Sequence, residues 1–182
     1  MQTLEQLYWK YKKGDWPDKN SVHSYIPFYE EILKPYRHTA KNVLEIGLMS
    51  GESLRMWNNY FDGTVYGMDC DLKPINGQAD LTEAIKEGYN ILIGDATSKY
   101  VIESVFKKIK FDVIIEDANH DIDQQITIYQ NFKPYMKHGG IYIIEDVQDI
   151  DRTKTIFEIM GGKVIDRRHI KNRYDDVLII FQ

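Results

Sequence analysis

The tetrapeptide IIED occurs twice in the chain, and each copy closes an apolar run. The first copy covers residues 114–117 within FDVIIEDANHDID, and the second covers residues 143–146 within GGIYIIEDVQDI. Carboxylates brought close together repel one another unless one is protonated or a cation lies between them. Such oxygen ligands suit Mg²⁺, which commonly takes one or two carboxylates and completes its shell with water and substrate oxygens. The repeat therefore predicts a divalent-cation site.

Helix capping is the alternative role for some acids of these pairs, and Asp121 or Asp151 could serve in that way too. Negative charge at a helix N-terminus is favourable, and Asp121 and Asp151 stand where the following helices are expected to begin. The sequence leaves both roles open at this point.

A histidine follows the first acid pair. His120 lies three residues after Asp117, in the loop EDANHD that leads into the next helix. Histidine titrates near neutral pH and can take the proton of an attacking hydroxyl group. We predict that His120 is a general base, and the alternative is an inert surface histidine.

Short apolar runs alternate with longer amphipathic ones, which is typical of a parallel sheet covered by helices on both faces. The predicted strands cover residues 42–47, 64–69, 90–95, 111–117 and 139–146, and the predicted helices cover residues 52–60, 81–87, 100–109, 121–136 and 151–160. Two further strands, in KVIDRRHI and DDVLIIF, have no room between them for a crossover helix. They are predicted to form an antiparallel hairpin.

The sheet must bring the two acid pairs together. Residues 118–142 fit one helix with two short connections, so the two IIED strands are predicted to be neighbours, about 4.8 Å apart. Ligands of open α/β sheets bind beyond the carboxyl ends of the strands. Because successive strand residues point to opposite faces, the two acids of one pair cannot both be buried in the same way while the strand stays regular. At least one acid of each pair is expected to reach the cleft.

The segment after the first strand, LEIGLMSGESLRMW, has glycines at Gly47 and Gly51. Glycine permits a tight turn and a close approach of the backbone to a ligand. The segment is not the three-glycine dinucleotide fingerprint, which disfavours nicotinamide-dependent oxidoreduction. Glu45 suits a ligand that carries positive charge, and Asp69 stands where a ribose-binding acid falls in nucleotide-binding α/β folds. Asp95, in GDATS, could accept a hydrogen bond from an adenine amino group.

At these motifs the chain resembles the class I methyltransferases that use S-adenosylmethionine. The resemblance covers VLEIGLMSGES, the acid at Asp69, GDA, FDVIIEDANH and the terminal hairpin. It implies a single Rossmann-like α/β domain whose seven-stranded sheet is mostly parallel, with helices on both faces and a C-terminal antiparallel hairpin. The cofactor contacts that it implies are Glu45, Gly47, Ser50, Gly51, Asp69, Asp95, Ala96 and Glu116.

The acid–histidine motif narrows the resemblance. An acid, two small or polar residues, a histidine and a later GGIYIIED are similar to the metal-dependent sugar O-methyltransferases of the macrocin and mycinamicin type. This similarity implies that Asp117, Glu145 and Asp146 hold Mg²⁺ or another divalent cation, with His120 as the base. That family usually has DGSH where this chain has DANH, so the geometry of the loop is expected to differ.

Residues 1–40 are interpreted as an N-terminal helical lid on an α/β core of residues 41–182. DKNSVHSYIPFYEEIL resembles the cofactor lid of the same group, which implies that His23 and Tyr25 lie beside the cofactor. The alternative is an ordinary amphipathic helix whose aromatic side chains pack inward.

The predicted function is S-adenosylmethionine-dependent O-methylation of a sugar hydroxyl on a glycan or glycosylated metabolite. A catechol-like acceptor is the alternative substrate, since a metal chelates two adjacent oxygens in either case. A non-catalytic module that binds the cofactor is the alternative from another class.

Composition excludes several other classes. The net charge of −5 disfavours nucleic acid as a partner, and no apolar run approaches a membrane span. The single cysteine cannot form an internal disulfide, and MQTLEQLYWKYKKGDW lacks the pattern of a secretory signal. We expect a soluble cytoplasmic protein, and association into a homodimer stays open.

Overall fold

The computed structural model describes residues 2–73 and 79–182, which contain a seven-stranded sheet. Its strands are β1 (Asn42–Ile46), β2 (Thr64–Asp69), β3 (Asn90–Ile93), β4 (Phe111–Glu116), β5 (Met136–Ile144), β6 (Lys163–Asp166) and β7 (Val177–Phe181). The strand order is β3-β2-β1-β4-β5-β7-β6, and β7 runs antiparallel to both neighbours while the other pairs are parallel. The predicted sheet and its terminal hairpin are confirmed.

Helices cover both faces of this sheet. They are α1 (Leu4–Tyr11), α2 (Tyr25–Leu33), α3 (Glu52–Tyr60), α4 (Thr82–Lys86), α5 (Lys99–Phe106), α6 (Ile122–Phe132), α7 (Ile150–Ile159) and α8 (Arg168–Lys171). Alternate residues of β4 enter two hydrophobic clusters: Val113 and Ile115 pack with α1 to α3, whereas Ile114 packs with α5 to α7. No helix of the described residues is long and apolar enough to cross a membrane.

Two boundaries differ from the sequence prediction near the second acid pair. The helix predicted over residues 121–136 ends at Phe132, and a 3₁₀ turn, Lys133–Tyr135, follows it. Pro134 accounts for the difference, because proline cannot donate the backbone hydrogen bond that would continue the helix. β5 consequently begins at Met136 instead of residue 139. The strand predicted over KVIDRRHI ends at Asp166, and the connection between β6 and β7 contains α8, a helix of 4 residues, where the end of that strand and a polar turn were predicted.

The two IIED copies lie on neighbouring parallel strands, as predicted, but they are offset by one residue. Glu116 of β4 pairs with Ile144 of β5, so Asp117 follows beside Glu145. Side chains alternate between faces along a strand, so a one-residue offset changes which side chains share a face. Asp117 and Glu145 therefore lie on the same side of the sheet, and Glu116 points to the other side.

We call the segment between α1 and α2, residues 12–24, the strap. α1 holds it through Tyr8, whose hydroxyl donates to the carbonyl of Pro17 at 2.9 Å and accepts from the backbone N–H of Ser21 at 2.9 Å. At its other end, Ser24 donates its N–H to Asp176 at 3.1 Å. The strap therefore reaches the carboxyl end of the sheet, where the acids are.

Candidate active site

A cavity of about 570 Å³ opens at the carboxyl ends of β1, β2, β3 and β4, a volume typical of a small-molecule site. The strap contributes to its wall with Trp16, Pro17 and Asp18. Of the residues predicted from the sequence, those that line the cavity are Gly47, Asp69, Asp95, Ala96, Asp117, His120 and Asp146. The structure thus brings these residues together, and their individual roles stay predictions.

The loop between β1 and α3 forms one wall of the cavity. Gly47 has φ +89°, and a Cβ built on it would lie 1.9 Å from the carbonyl oxygen of Asp117. This contact is far inside van der Waals distance, so the loop can approach the end of β4 only where residue 47 lacks a side chain. Gly51 also has positive φ, at +82°, and directly precedes α3.

The acids at the ends of β2 and β3 are fixed by local hydrogen bonds. Asp69 accepts the N–H of Leu48 at 2.8 Å, which ties the end of β2 to the loop after β1. Asp95 accepts the N–H and the hydroxyl of Thr97 at 2.8 and 2.7 Å. Both side chains are therefore held at the cavity, in the places from which ribose and adenine contacts were predicted.

Two other predicted cofactor contacts make hydrogen bonds within the protein. Glu45 is fully buried and accepts hydrogen bonds from Ser53 Oγ at 2.9 Å and Trp57 Nε1 at 3.0 Å. Ser53 lines the cavity, so Glu45 lies behind the wall to which this serine belongs. Burial raises the pKa of Glu45 to about 7, although attraction to Lys19 opposes the rise. Ser50 uses its backbone carbonyl to accept from Arg55 at 2.9 Å.

Glu116 lies on the side of the sheet opposite to Asp117 and Glu145, because side chains alternate between the two faces along β4. Its side chain is fully buried, and Oε1 accepts the N–H of Ala118 at 3.3 Å while Oε2 has no partner among the described residues. Burial raises the pKa of Glu116 to about 8. Glu116 is not among the described residues that line the cavity.

Lys19 of the strap inserts its ammonium among the acids of β4 and β5. Nζ lies 2.6 Å from Asp117 Oδ2 and 2.8 and 2.7 Å from the two carboxylate oxygens of Glu145. It also lies 3.8 Å from Glu45, and Tyr29 donates its hydroxyl to Glu145 at 2.7 Å. Burial alone would lower the pKa of Lys19, but its attraction to Asp117, Glu145 and Glu45 outweighs that effect and raises the pKa well above its usual value.

Asp146 receives a separate set of partners. Tyr25 donates its hydroxyl to Asp146 Oδ1 at 2.6 Å, and His23 Nδ1 lies 3.3 Å from the same oxygen. Both were predicted beside the cofactor, but the structure buries them against this aspartate instead of exposing them at the cavity. Their rings stack at 4.9 Å, which agrees with the alternative of aromatic side chains packed inward. Burial raises the pKa of Asp146 well above its usual value.

Asp117, His120 and Asp146 form a group that could hold a metal ion. Each offers one ligand atom, and these atoms lie within 4.8 Å of one another. His120 Nε2 is 3.7 Å from Asp146 Oδ2, and His120 Nδ1 is buried without a partner among the described residues. The metal ligands predicted from the sequence were Asp117, Glu145 and Asp146. The group in the structure contains His120 in place of Glu145. Whether either residue binds a metal stays a prediction.

Helix capping accounts for one of the acids considered above. Asp121 is the N-cap of α6 and accepts the N–H of Gln124 at 3.0 Å. Asp151, in contrast, lies in the first turn of α7 and pairs with Arg168, so it does not cap that helix with its side chain.

The sequence predicted a lid over residues 1–40 with His23 and Tyr25 beside the cofactor, but it did not predict the contributions of residues 16–19 to the site. Trp16, Pro17 and Asp18 line the cavity, and Lys19 reaches the acids behind it. A lysine in a polar segment is normally expected to be exposed, so residue type gave no signal. The surplus of acids at the strand ends was the available signal, because buried carboxylates require a cation to balance them.

Known proteins are similar to this chain in sequence and in fold. No family profile matches the chain. Demethylmacrocin O-methyltransferase of Streptomyces fradiae is 28% identical over 153 residues, covering 79% of this chain and 36% of that protein. An 8-demethyl-8-alpha-L-rhamnosyl tetracenomycin-C 2'-O-methyltransferase of Streptomyces olivaceus is 30% identical over 140 residues, covering 72% of this chain and 35% of that protein.

A solved methyltransferase structure is also similar to this chain. The MycE methyltransferase of the mycinamycin biosynthetic pathway, in complex with Mg, SAH and mycinamycin VI, superposes with a TM-score of 0.66 at 26% identity. The match covers 80% of this chain and 39% of MycE.

The sheet order and the structural match to MycE define a class I methyltransferase fold. Within that class, the chain is related to the S-adenosylmethionine-dependent sugar O-methyltransferases of the macrocin and mycinamicin type. It spans about a third of the length of the curated relatives that it matches.

Proposed function

We propose that the protein transfers the methyl group of S-adenosylmethionine to a sugar hydroxyl of a glycan or glycosylated metabolite. The observation that carries the proposal is the convergence of Asp117, His120 and Asp146 on the cavity that also holds Gly47 and Asp69. An acceptor hydroxyl at these three residues would face a cofactor bound over the glycine loop. The names of the relatives, one of which specifies a rhamnosyl group, support a sugar as acceptor.

The cavity residues divide into two groups by their chemistry. Asp69 and Asp95 present carboxylates suited to ribose hydroxyls and an adenine amino group, and the loop at Gly47 lies beside them in the cavity wall. The second group, Asp117, His120 and Asp146, lies on the side of β4 and β5. Holding the acceptor oxygen and the methyl group in line between the two groups would supply much of the rate acceleration.

The donor set fits a divalent cation. Two carboxylates with ligand atoms within 4.8 Å of one another offer the oxygen ligands that such ions take. Asp117 and Asp146 would hold the ion. When bound, it would stabilise the negative charge that develops on the acceptor oxygen.

His120 performs the proton transfer in this mechanism. Its imidazole takes the proton of the sugar hydroxyl as the oxygen attacks the methyl carbon. The new C–O bond forms while the S–CH₃ bond breaks, and the electron pair returns to sulfur, leaving neutral S-adenosylhomocysteine. Asp146, whose Oδ2 lies 3.7 Å from His120 Nε2, would stabilise the imidazolium that results.

Methyl transfer from labelled S-adenosylmethionine to monosaccharide glycosides and to catechols, assayed side by side with Mg²⁺, tests the proposal. We expect labelled product with a glycoside and at least tenfold less with any catechol. Preference for the catechol would contradict the sugar acceptor. Cofactor binding without transfer to either class would favour a non-catalytic module.

A further inference from the structure

Trp16 is an exposed aromatic residue in the wall of the cavity. It is 39% exposed, and it is not among the described side chains that pack against either hydrophobic cluster. Trp57, in contrast, is fully buried and packs against Tyr29 with the ring centroids 5.6 Å apart. Binding pockets are lined mainly by apolar and aromatic side chains with a few polar groups among them. Trp16 is therefore available to a ligand and is not needed to fill the core.

Hydrogen bonds fix the backbone on both sides of Trp16. Its carbonyl accepts the N–H of Lys13 at 2.7 Å, and its own N–H donates to the carbonyl of Lys13 at 3.1 Å. Gly14, within this turn, has φ +57°, which glycine adopts without the strain of an L side chain. The carbonyl of Pro17 accepts the hydroxyl of Tyr8 at 2.9 Å. The strap thus presents Trp16 from a defined position, which lowers the entropic cost of binding a ligand.

Asp18 connects this part of the strap to the residues proposed to act on the acceptor. It lines the cavity, and one of its carboxylate oxygens lies within 4.8 Å of an oxygen of Asp146. Asp146 in turn lies 3.7 Å from His120 Nε2. Asp18 and Trp16 are two residues apart, so their Cα atoms are separated by no more than about 8 Å. Asp18 therefore belongs to the acceptor side of the cavity, and Trp16 lies next to it.

The carboxylate of Asp18 keeps capacity to accept a hydrogen bond from a ligand. Its Oδ2 lies 3.5 Å from His23 Nε2, which is longer than a usual hydrogen bond, and its side chain is 19% exposed. A carboxylate offers about four acceptor positions, so this one contact leaves most of them open.

A sugar ring has the chemistry that fits this pair of residues. The C–H groups of a pyranose form an apolar face with slight positive charge, which packs favourably on the negative face of an aromatic ring. Its hydroxyl groups donate hydrogen bonds, which a carboxylate accepts. A sugar whose C–H face covers Trp16 would place one hydroxyl at Asp18 and a neighbouring hydroxyl towards His120.

We propose that Trp16 and Asp18 form the subsite that binds the acceptor sugar. The ring stacks on Trp16, and Asp18 accepts a hydrogen bond from a hydroxyl that is not the one methylated. The two residues thereby determine which sugars bind and which hydroxyl faces His120. The inference rests on the proposed function for a sugar as acceptor, but its test measures binding and does not require methyl transfer.

The test is the binding of methyl glycosides of hexoses and 6-deoxyhexoses, measured by calorimetry with Mg²⁺ and saturating S-adenosylhomocysteine, which lacks the transferable methyl group. We expect at least one glycoside to bind. Trp16→Ala should raise its dissociation constant at least tenfold, because stacking and buried apolar area are both lost. Trp16→Phe keeps an aromatic ring and should raise it less than threefold. Asp18→Asn should raise it at least fivefold.

Trp9→Ala is the matched control. Trp9 is 55% exposed on α1 and is not among the described residues that line the cavity, so its replacement should leave the affinity for the glycoside unchanged. The affinity for S-adenosylhomocysteine alone should change less than threefold in all four variants, because the subsite lies on the acceptor side.

An unchanged affinity for the glycoside in Trp16→Ala would overturn the inference, and so would binding of none of these glycosides to protein that binds S-adenosylhomocysteine. A loss of affinity for S-adenosylhomocysteine of more than tenfold in Trp16→Ala would also overturn it, because Trp16 would then belong to the cofactor site. Where Trp16→Ala fails to fold, unchanged glycoside binding in Asp18→Asn has the same meaning. Binding with the expected pattern but without methyl transfer to any glycoside would refute the proposed function and leave the subsite intact.

Discussion

The acids at the ends of β4 and β5 differ in their surroundings although the two tetrapeptides that contain them are identical. Glu116 is buried on one side of the sheet, Asp117 faces the cavity and pairs with Lys19, and Glu145 is buried against the same lysine. Asp146 is held by the hydroxyl of Tyr25 and lies near His120. Each difference follows from the neighbours of a side chain and not from its type.

His120 is the residue whose replacement tests the chemistry most directly. We expect His120→Ala to lower kcat/KM by about 10²–10⁴-fold, the usual contribution of a general base, since no other group in the mechanism takes the proton. The dissociation constant for Mn²⁺ should change less than threefold, because Asp117 and Asp146 remain. Methyl transfer and Mn²⁺ binding are measured on the same preparation.

His138→Ala serves as the control for that experiment, because His138 is exposed within β5 and distant in sequence from the cavity loop. It should leave both quantities unchanged. A loss of Mn²⁺ affinity of more than tenfold in His120→Ala would make this histidine a metal ligand and would remove it as the base.

Secondary-structure elements were largely predictable from the sequence, because apolar periodicity reports burial locally. β2 and α3 have the predicted bounds, and β4 and β5 are neighbours as expected. The one-residue offset between the IIED copies was not predictable, since register depends on pairing between segments distant in the chain. The position of the Lys19 ammonium was also not predictable, because its partners Asp117 and Glu145 lie 98 and 126 residues away in the chain.

The contact between the loop after β1 and the end of β4 is the element-scale feature that shapes the cavity. Gly47→Ala places a methyl group 1.9 Å from a backbone oxygen, so the loop must move. We expect the free energy of unfolding to fall by about 3 kcal/mol or more, as for other strained backbone sites. Affinity for S-adenosylhomocysteine should fall at least 30-fold. Urea denaturation and calorimetry measure the two effects.

Gly88→Ala is matched to this variant in backbone strain. Gly88 has φ +87°, close to the +89° of Gly47, but a Cβ there would meet nothing within 4 Å. We expect it to lose about 1–2 kcal/mol, the cost of positive φ for an L-residue, and to bind S-adenosylhomocysteine normally. Equal losses of affinity in both variants would show that strain, and not the contact with β4, is responsible.

At the scale of the whole molecule, ligand binding and stability should be coupled. The cavity wall includes the strap together with residues at the ends of β1 and β2 and of β3 and β4. A ligand in this cavity therefore contacts segments that lie far apart in sequence and that separate on unfolding. A ligand that binds only the folded state stabilises it by about 2.7 kcal/mol at 100 times its dissociation constant.

For a chain of 182 residues, that free energy corresponds to a rise in Tm of about 5–10 °C. We expect S-adenosylhomocysteine to produce such a rise in a thermal melt, whereas NAD⁺ at the same concentration should produce none, because the loop at Gly47 lacks the three-glycine fingerprint. Asp69→Asn should reduce the rise, since this carboxylate holds the loop through the N–H of Leu48 and faces the cavity. An equal rise with NAD⁺ would contradict the assignment of the cavity to S-adenosylmethionine, and an unchanged Tm with S-adenosylhomocysteine would do so as well.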